Sequence, residues 1–123
     1  MKLKVFYLET CSTCNRILKE LDIEQYPDVE LREIKSRSIS KQEIEEMHQL
    51  SGSYESLFSR RAMKFRSMNL HEKDLGENDY KQLIQDEYTF LKRPVFILDD
   101  QIFIGNSKKV VESLKSELSR LKV

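Results

Sequence analysis

Cysteine, histidine and net charge are all scarce in this sequence. Its 123 residues include two cysteines and two histidines, and 21 Lys and Arg residues balance 21 Asp and Glu residues, so the formal net charge is +0. Two cysteines are better explained by redox chemistry or metal binding than by structural disulfides. The balanced charge excludes a general electrostatic attraction to nucleic acid or membranes, so any DNA-related role would need a protein partner.

Long apolar runs are absent as well. No stretch approaches the length of a signal peptide or of a membrane span, so we expect a cytoplasmic protein. In that reducing compartment the cysteines would rest as thiols and form a disulfide only transiently. At this length the whole chain, residues 1–123, is predicted to be a single domain with one core.

The residues around Cys11 and Cys14 carry the clearest chemical signal. The apolar run within Lys2–Leu8 predicts a buried strand, and apolar residues at spacings of three and four from Cys14 onward predict an amphipathic helix. Cys11 is therefore expected at the helix N-terminus, where free N–H groups and the helix dipole favour its thiolate. Cys14, one turn along, is placed to attack a bond formed at Cys11.

Two further strand signals flank a long helical stretch. Val29, Leu31 and Ile34 indicate a second strand, which should run parallel to the first in a βαβ unit. Near the end, Val95–Leu98 and Ile102–Ile104 read as an antiparallel hairpin, and an amphipathic helix follows it. The predicted order is therefore βαβ, a helical insert and ββα.

The insert, about residues 40–90, is predicted to be helical and free of strands. Ser40–Glu43 matches a capping box at the start of its first helix. A second pattern over Tyr54–Arg66 indicates one bent helix or two short ones. A third helix is expected to be capped by Asn78 or Asp79.

Four short segments occur in an order and spacing typical of one protein family. They are the N-terminal strand running into Cys11, Phe58-Ser59-Arg60-Arg61 with Phe65 after it, Leu91–Val95, and Ile104–Ser107 before the last helix. Together they resemble the arsenate reductase family called ArsC/Spx, in the thioredoxin-like superfamily, over nearly the whole chain. The resemblance implies an α/β thioredoxin-like fold with a mixed four-stranded sheet and a helical insertion of about 50 residues between its halves.

Site residues follow from this resemblance. Cys11 would be the catalytic nucleophile, and Arg61 and Arg93 would bind the substrate oxyanion, since guanidinium groups offset the repulsion between a thiolate and an anion. Pro94 is expected to follow a cis peptide bond and to place residue 93 beside Cys11. Asn106 stands where the arsenate reductases carry a third arginine, and is a further substrate-binding candidate.

The second cysteine distinguishes this chain from most of those reductases. Cys14 provides the disulfide-capable pair of the Spx-type proteins, so the resemblance implies a redox-active Cys11–Cys14 disulfide as a product of oxidation. It implies no bound cofactor, and glutathione with glutaredoxin, or thioredoxin, would be the electron donor.

Three functions remain open. The leading hypothesis is a cytoplasmic thiol-dependent reductase whose Cys11 thiolate attacks an oxyanion or disulfide substrate. The second is an Spx-like regulator that binds the RNA polymerase alpha subunit through a Cys11–Cys14 switch, with Gly52 where that branch carries a glycine at the polymerase contact. The third is a glutaredoxin-like disulfide reductase that does not depend on Arg61.

Simpler explanations exist for several of these residues. The Cys-x-x-Cys pair could be half of a zinc site, but His48 and His71 fall at no ligand spacing, so no metal is predicted. Cys14 could be a small buried residue without a redox role. The basic residues of 60–66 could form a solvated helix face. Arg61 is preferred to Arg60 as the site arginine because Phe65 then falls at the offset of the family.

Overall fold

The computed structural model describes residues 1–121, which form two compact units. The first unit contains Met1–Arg37 and the chain from Arg93 onward, and the second contains Ser38–Lys92. The second unit corresponds to the predicted insert. The predicted βαβ and ββα halves together make up the first.

Four strands and five α-helices form the regular structure of the described residues. The strands are β1 (Leu3–Tyr7), β2 (Glu30–Glu33), β3 (Val95–Leu98) and β4 (Gln101–Ile104). The helices are α1 (Ser12–Glu20), α2 (Lys41–Ser51), α3 (Met63–Ser67), α4 (Glu77–Asp86) and α5 (Lys108–Leu121).

The strands form one sheet with the order β2-β1-β3-β4. β1 pairs in parallel with β2 and antiparallel with β3, and β3 pairs antiparallel with β4. In this register Val5 of β1 lies opposite Leu31 on one side and Phe96 on the other. The mixed four-stranded sheet and the C-terminal hairpin predicted from the sequence are confirmed.

The core of the first unit consists of apolar residues of β1 and β3, of α1 and the segment after it, and of α5. The helices bury apolar residues at spacings of three and four, as an amphipathic helix packed on a sheet requires. Its buried members are Leu3, Val5, Ile17, Leu21, Ile23, Tyr26, Phe96, Leu98, Val111, Leu114 and Leu118. This packing holds α1, and with it the cysteine pair, against the central strand β1.

The edge strand β2 is found where the sequence predicts it, but its side chains face differently. Leu31, part of the predicted apolar pattern, is 45% exposed, whereas the neighbouring Arg32 is only 3% exposed. The Arg32 guanidinium donates to the backbone carbonyls of Glu33 and Arg37, at 3.1 and 2.5 Å, which satisfies part of its buried charge. These hydrogen bonds allow the charged Arg32 side chain to occupy the inward position.

In the second unit the predicted capping box of α2 is confirmed. The Ser40 hydroxyl accepts from the Glu43 N–H, and the Glu43 carboxylate accepts from the Ser40 N–H. The helix ends at Gly52, whose φ of +80° is the left-handed conformation that glycine adopts readily.

The Tyr54–Arg66 segment forms two short helices rather than one bent helix. A 3₁₀ turn at Glu55–Leu57 and α3 are separated by the extended Phe58 and a turn at residues 60–61, and Phe58 makes an isolated antiparallel bridge with Leu91. No β-strand lies within residues 40–90, as predicted, and the pairing of Phe58 with Leu91 is a single isolated bridge. The Phe58 ring lies 4.9 to 5.9 Å from three other aromatic rings, those of Phe65, Tyr80 and Phe90. These contacts come from distant parts of the unit and override the local helical pattern.

Helix α4 begins two or three residues earlier than predicted. Its N-cap is Gly76, and neither Asn78 nor Asp79 occupies that position. Asp79 instead lies in the first turn, where its carboxylate accepts from the Gly76 N–H over 2.8 Å. The acidic residue still stabilises the helix start, but from inside the helix.

Candidate active site

Cys11 lies at the junction of β1 and α1. It is the N-cap of α1, with extended φ and ψ of −87° and 107°, and its carbonyl accepts from the Asn15 N–H. Its Sγ accepts a hydrogen bond from the Cys14 N–H at 3.3 Å. The partly exposed sulfur thus occupies the position of a capping oxygen, as the sequence predicts.

The surroundings of Cys11 favour its thiolate. Partial burial acts to raise the pKa of Cys11, but hydrogen bonds from the side chain and backbone of Cys14 oppose it. The positive charge and a hydrogen bond of the Arg93 side chain act in the same direction, so the pKa of Cys11 is lowered overall. A lowered pKa increases the thiolate fraction near neutral pH, and the thiolate is the nucleophilic form.

Cys14 has the opposite character. It is fully buried on the core side of α1. Burial, together with the hydrogen bond to the Cys11 side chain, raises the pKa of Cys14 to about 12. Cys14 therefore stays protonated and donates to the Cys11 sulfur. Both cysteines are free thiols here, so the Cys11–Cys14 disulfide remains a prediction.

Arg93, Pro94 and Asn106 lie in the same unit as the cysteines. The Arg93–Pro94 peptide bond is cis, as expected, and Pro94 is buried. The Pro94 carbonyl accepts from the Gly105 N–H at 2.9 Å, and the Asn106 side chain donates to the Arg93 carbonyl at 3.4 Å. The structure thus brings Arg93 to Cys11 and ties the segment of Arg93 to the loop before α5. Asn106 remains exposed.

Arg60 and Arg61 lie in the second unit and differ in their contacts. The Arg60 guanidinium donates to the Glu55 carboxylate at 2.6 Å and to the Tyr80 hydroxyl at 2.8 Å. Arg61 is exposed, and no ion pair of its side chain occurs within residues 1–121. The preference for Arg61 over Arg60 as an oxyanion ligand stays a prediction.

Two side chains near Cys11 were not identified from the sequence. The Glu33 carboxylate accepts from the Glu9 N–H at 2.9 Å, and the Asn15 side chain donates to the Glu9 carbonyl at 2.8 Å. Glu9 belongs to the four-residue connection between β1 and α1. The sequence carries no signal for Glu33, because its partner lies 24 residues away.

Within residues 1–121, no group of three or more His, Cys, Asp or Glu side chains could hold a metal ion. The helices of the same region include none that is long and apolar enough to span a membrane.

Known proteins with similar structures share this architecture. An arsenate reductase from Vibrio cholerae is 14% identical with a TM-score of 0.75, covering 94% of this chain and 97% of its own. An arsenate reductase related protein from Brucella melitensis is 17% identical with a TM-score of 0.70, covering 92% and 93%. A protein from Staphylococcus aureus COL is 22% identical with a TM-score of 0.72, covering 90% and 96%.

These TM-scores show a shared fold, the thioredoxin-like fold of ArsC proteins, as predicted from the sequence. No curated protein matches the sequence at a significant level. The family model described as "ArsC family" matches residues 6–114, from β1 into α5, a range that includes both cysteines, Arg93 and Asn106. The chain therefore belongs to the ArsC family.

Proposed function

We propose that this protein is a thiol-dependent reductase in which the Cys11 thiolate is the nucleophile. One observation carries the proposal: the Cys11 sulfur caps α1, accepts the Cys14 N–H and lies beside the Arg93 guanidinium. This arrangement stabilises an anionic sulfur that remains partly exposed to solvent. We place the protein in the cytoplasm, where a thiol pool would keep Cys11 reduced.

Arsenate is the oxyanion substrate that we infer from membership of the family. The Cys11 thiolate would attack the As(V) centre, forming an S–As bond, and one arsenate oxygen would leave as water after taking two protons. A second thiolate would then attack the Cys11 sulfur and form a disulfide. The S–As bond breaks, its electron pair stays on arsenic, and arsenite with As(III) is released.

Arg93 supports the first step by its charge. A thiolate and an arsenate anion repel each other, and a guanidinium between them offsets this repulsion and stabilises the charge that develops. Arg61 and Asn106 are proposed as additional substrate ligands on the basis of the resemblance. Both side chains are exposed and therefore accessible to an anion.

The second thiol comes either from Cys14 or from outside the protein. Cys14 is one helical turn from Cys11, but it is buried and its pKa is about 12, so it is mostly protonated at neutral pH. A small external thiol such as glutathione would need only the exposed part of the Cys11 sulfur. Glutaredoxin or thioredoxin would then reduce the resulting disulfide.

The experiment is a coupled reductase assay on purified protein. Arsenate is supplied with glutathione and glutaredoxin, or with thioredoxin and its reductase, and arsenite formation is followed. The wild type should turn over with at least one system, and Cys11→Ser should abolish it. Arg93→Ala should lower kcat/KM, whereas the exposed neighbour Lys92→Ala should not.

Two other results would replace the proposal. Turnover of a small disulfide without arsenate reduction, unaffected by Arg61→Ala, would indicate a glutaredoxin-like reductase. Binding to the RNA polymerase alpha subunit only after oxidation of Cys11 and Cys14, with no turnover of either substrate, would indicate an Spx-like regulator. Cys14→Ala separates these outcomes, since it removes the switch but leaves the Cys11 nucleophile.

A further inference from the structure

The connection between β1 and α1 is held by side chains at a single residue, Glu9. The chain leaves β1 at Tyr7 and enters α1 at Ser12, so Leu8–Cys11 must both turn and present the Cys11 sulfur. The Cys11 N–H donates to the Leu8 carbonyl at 3.1 Å and closes this turn. The second residue of this segment, Glu9, hydrogen-bonds a side chain through its backbone N–H and another through its carbonyl.

Glu33 holds the N–H of Glu9 from the adjacent strand. One carboxylate oxygen accepts the Glu9 N–H, and the other accepts the backbone N–H groups of Lys35 and Ser36 and the Ser36 hydroxyl at 2.7 to 2.9 Å. Burial acts to raise the pKa of Glu33, but these hydrogen bonds outweigh it and lower the pKa. Glu33 is therefore an ionised acceptor that links the turn after β2 to the loop before Cys11.

Asn15 holds the carbonyl of Glu9 from the helix. Its side-chain amide donates to the Glu9 carbonyl at 2.8 Å, and its backbone N–H donates to the Cys11 carbonyl at 3.1 Å. Asn15 thus bonds two residues of the loop from one rigid position on α1.

We propose that Glu33 and Asn15 are positioning residues that hold the backbone N–H and carbonyl of Glu9 and so fix Cys11 Sγ against the Cys14 amide at the start of α1. The role rests on the proposed function, since it serves a reactive Cys11. Asn15 carries no charge, and both side chains bind backbone groups of Glu9. Their effect comes through the backbone, by keeping the Cys11 sulfur within hydrogen-bonding distance of its donor.

The test measures the reactivity of Cys11 without any substrate. Alkylation by iodoacetamide is followed over a range of pH in a Cys14→Ser background, so that only one thiol reacts. Glu33→Ala and Asn15→Ala should each move the midpoint of the alkylation rate against pH to a higher pH. At a pH below that midpoint, each should slow alkylation about three- to tenfold. Glu30→Gln is the matched control, because Glu30 lies on the same strand but pairs with Lys4, away from the loop.

Two features separate positioning from a general loss of structure. If both side chains act through the backbone of Glu9, the double variant should shift the alkylation profile less than the sum of the single shifts. Asn15 is exposed, so Asn15→Ala should leave the melting temperature close to that of the Cys14→Ser background. If Glu33→Ala unfolds, the alkylation profile of Asn15→Ala alone tests the positioning role. Folded variants with an unchanged alkylation profile would overturn the proposal. If the variants shift the alkylation profile but the protein does not reduce arsenate, the positioning role is retained and only the proposed reductase function is rejected.

Discussion

The backbone N–H of Cys14 donates to the Cys11 Sγ at 3.3 Å, and the Cys14 thiol also hydrogen-bonds that sulfur. One residue therefore provides two donors to the proposed nucleophile. The backbone donor survives any substitution at residue 14 except proline, whereas the side-chain donor is lost in Cys14→Ala. This difference allows the two contributions to be measured separately.

Cys14→Ser should keep the side-chain donor, and Cys14→Ala should remove it. We expect the pKa of Cys11 to rise in Cys14→Ala relative to Cys14→Ser, because a hydrogen bond that stabilises the thiolate is lost. Thiolate absorbance near 240 nm as a function of pH measures this difference. Equal titration curves for the two variants would show that the thiol donor has no effect.

Arg93→Ala should also raise the pKa of Cys11, because a positive charge and a hydrogen bond beside the thiolate are removed. Arg93→Lys should give an intermediate value, since it keeps the charge but loses the planar donor geometry. The same absorbance titration checks both variants, and adding salt should affect the wild type more than Arg93→Ala. A wild-type pKa in Arg93→Ala would contradict this role.

The buried Cys14 thiol should destabilise the fold at alkaline pH. Its pKa is about 12 when folded, against about 8.5 when unfolded, so only the unfolded chain ionises between these values. Stability is therefore fully present below about pH 8.5 and declines as pH rises toward 12, by up to about 1.4 kcal/mol per pH unit.

Urea unfolding between about pH 9.5 and 11 measures this decline. Other groups titrate in the same window, so the comparison is with Cys14→Ala, in which the slope of the unfolding free energy against pH should be shallower. Identical slopes would mean that the Cys14 thiol ionises equally in both states.

Gly52→Ala should destabilise the protein by about 1 kcal/mol, because alanine is strained at a φ of +80°. The added Cβ would meet no atom within 4 Å, so the cost comes from the backbone alone. Gly76→Ala is the control: φ is −100° there and the nearest atom to the new Cβ is 3.7 Å away. Chemical denaturation of both variants checks the contrast. The left-handed conformation alone is enough to explain a glycine at residue 52, without a contact to RNA polymerase.

Local patterns predicted most of the first unit correctly. The apolar run of β1, the helix after Cys11, the hairpin and the last helix lie where the sequence places them. Each depends on interactions among neighbouring residues: hydrophobic periodicity, capping and turn chemistry. The cis bond before Pro94 was predicted by resemblance to the family rather than by these patterns.

Predictions failed where distant residues decide a conformation. Phe58 follows a helical pattern, yet its ring packs among aromatic residues up to 32 positions away and its backbone is extended. The strand pattern predicts that Leu31 faces inward, but Arg32 does so instead. Backbone carbonyls of Glu33 and Arg37 accept hydrogen bonds from the Arg32 guanidinium. Neither arrangement has a signal in the local sequence.

The sequence by itself determined that Cys11 begins a helix, because capping and periodicity act over a few adjacent residues. The resemblance implied that residue 93 lies beside Cys11, but only the tertiary structure decided that the Arg93 side chain hydrogen-bonds the Cys11 sulfur and that Glu33 holds the loop before it. These contacts form when strand pairing brings together segments that are far apart in the chain. Their geometry is set by the packing of the whole unit, which no local pattern records.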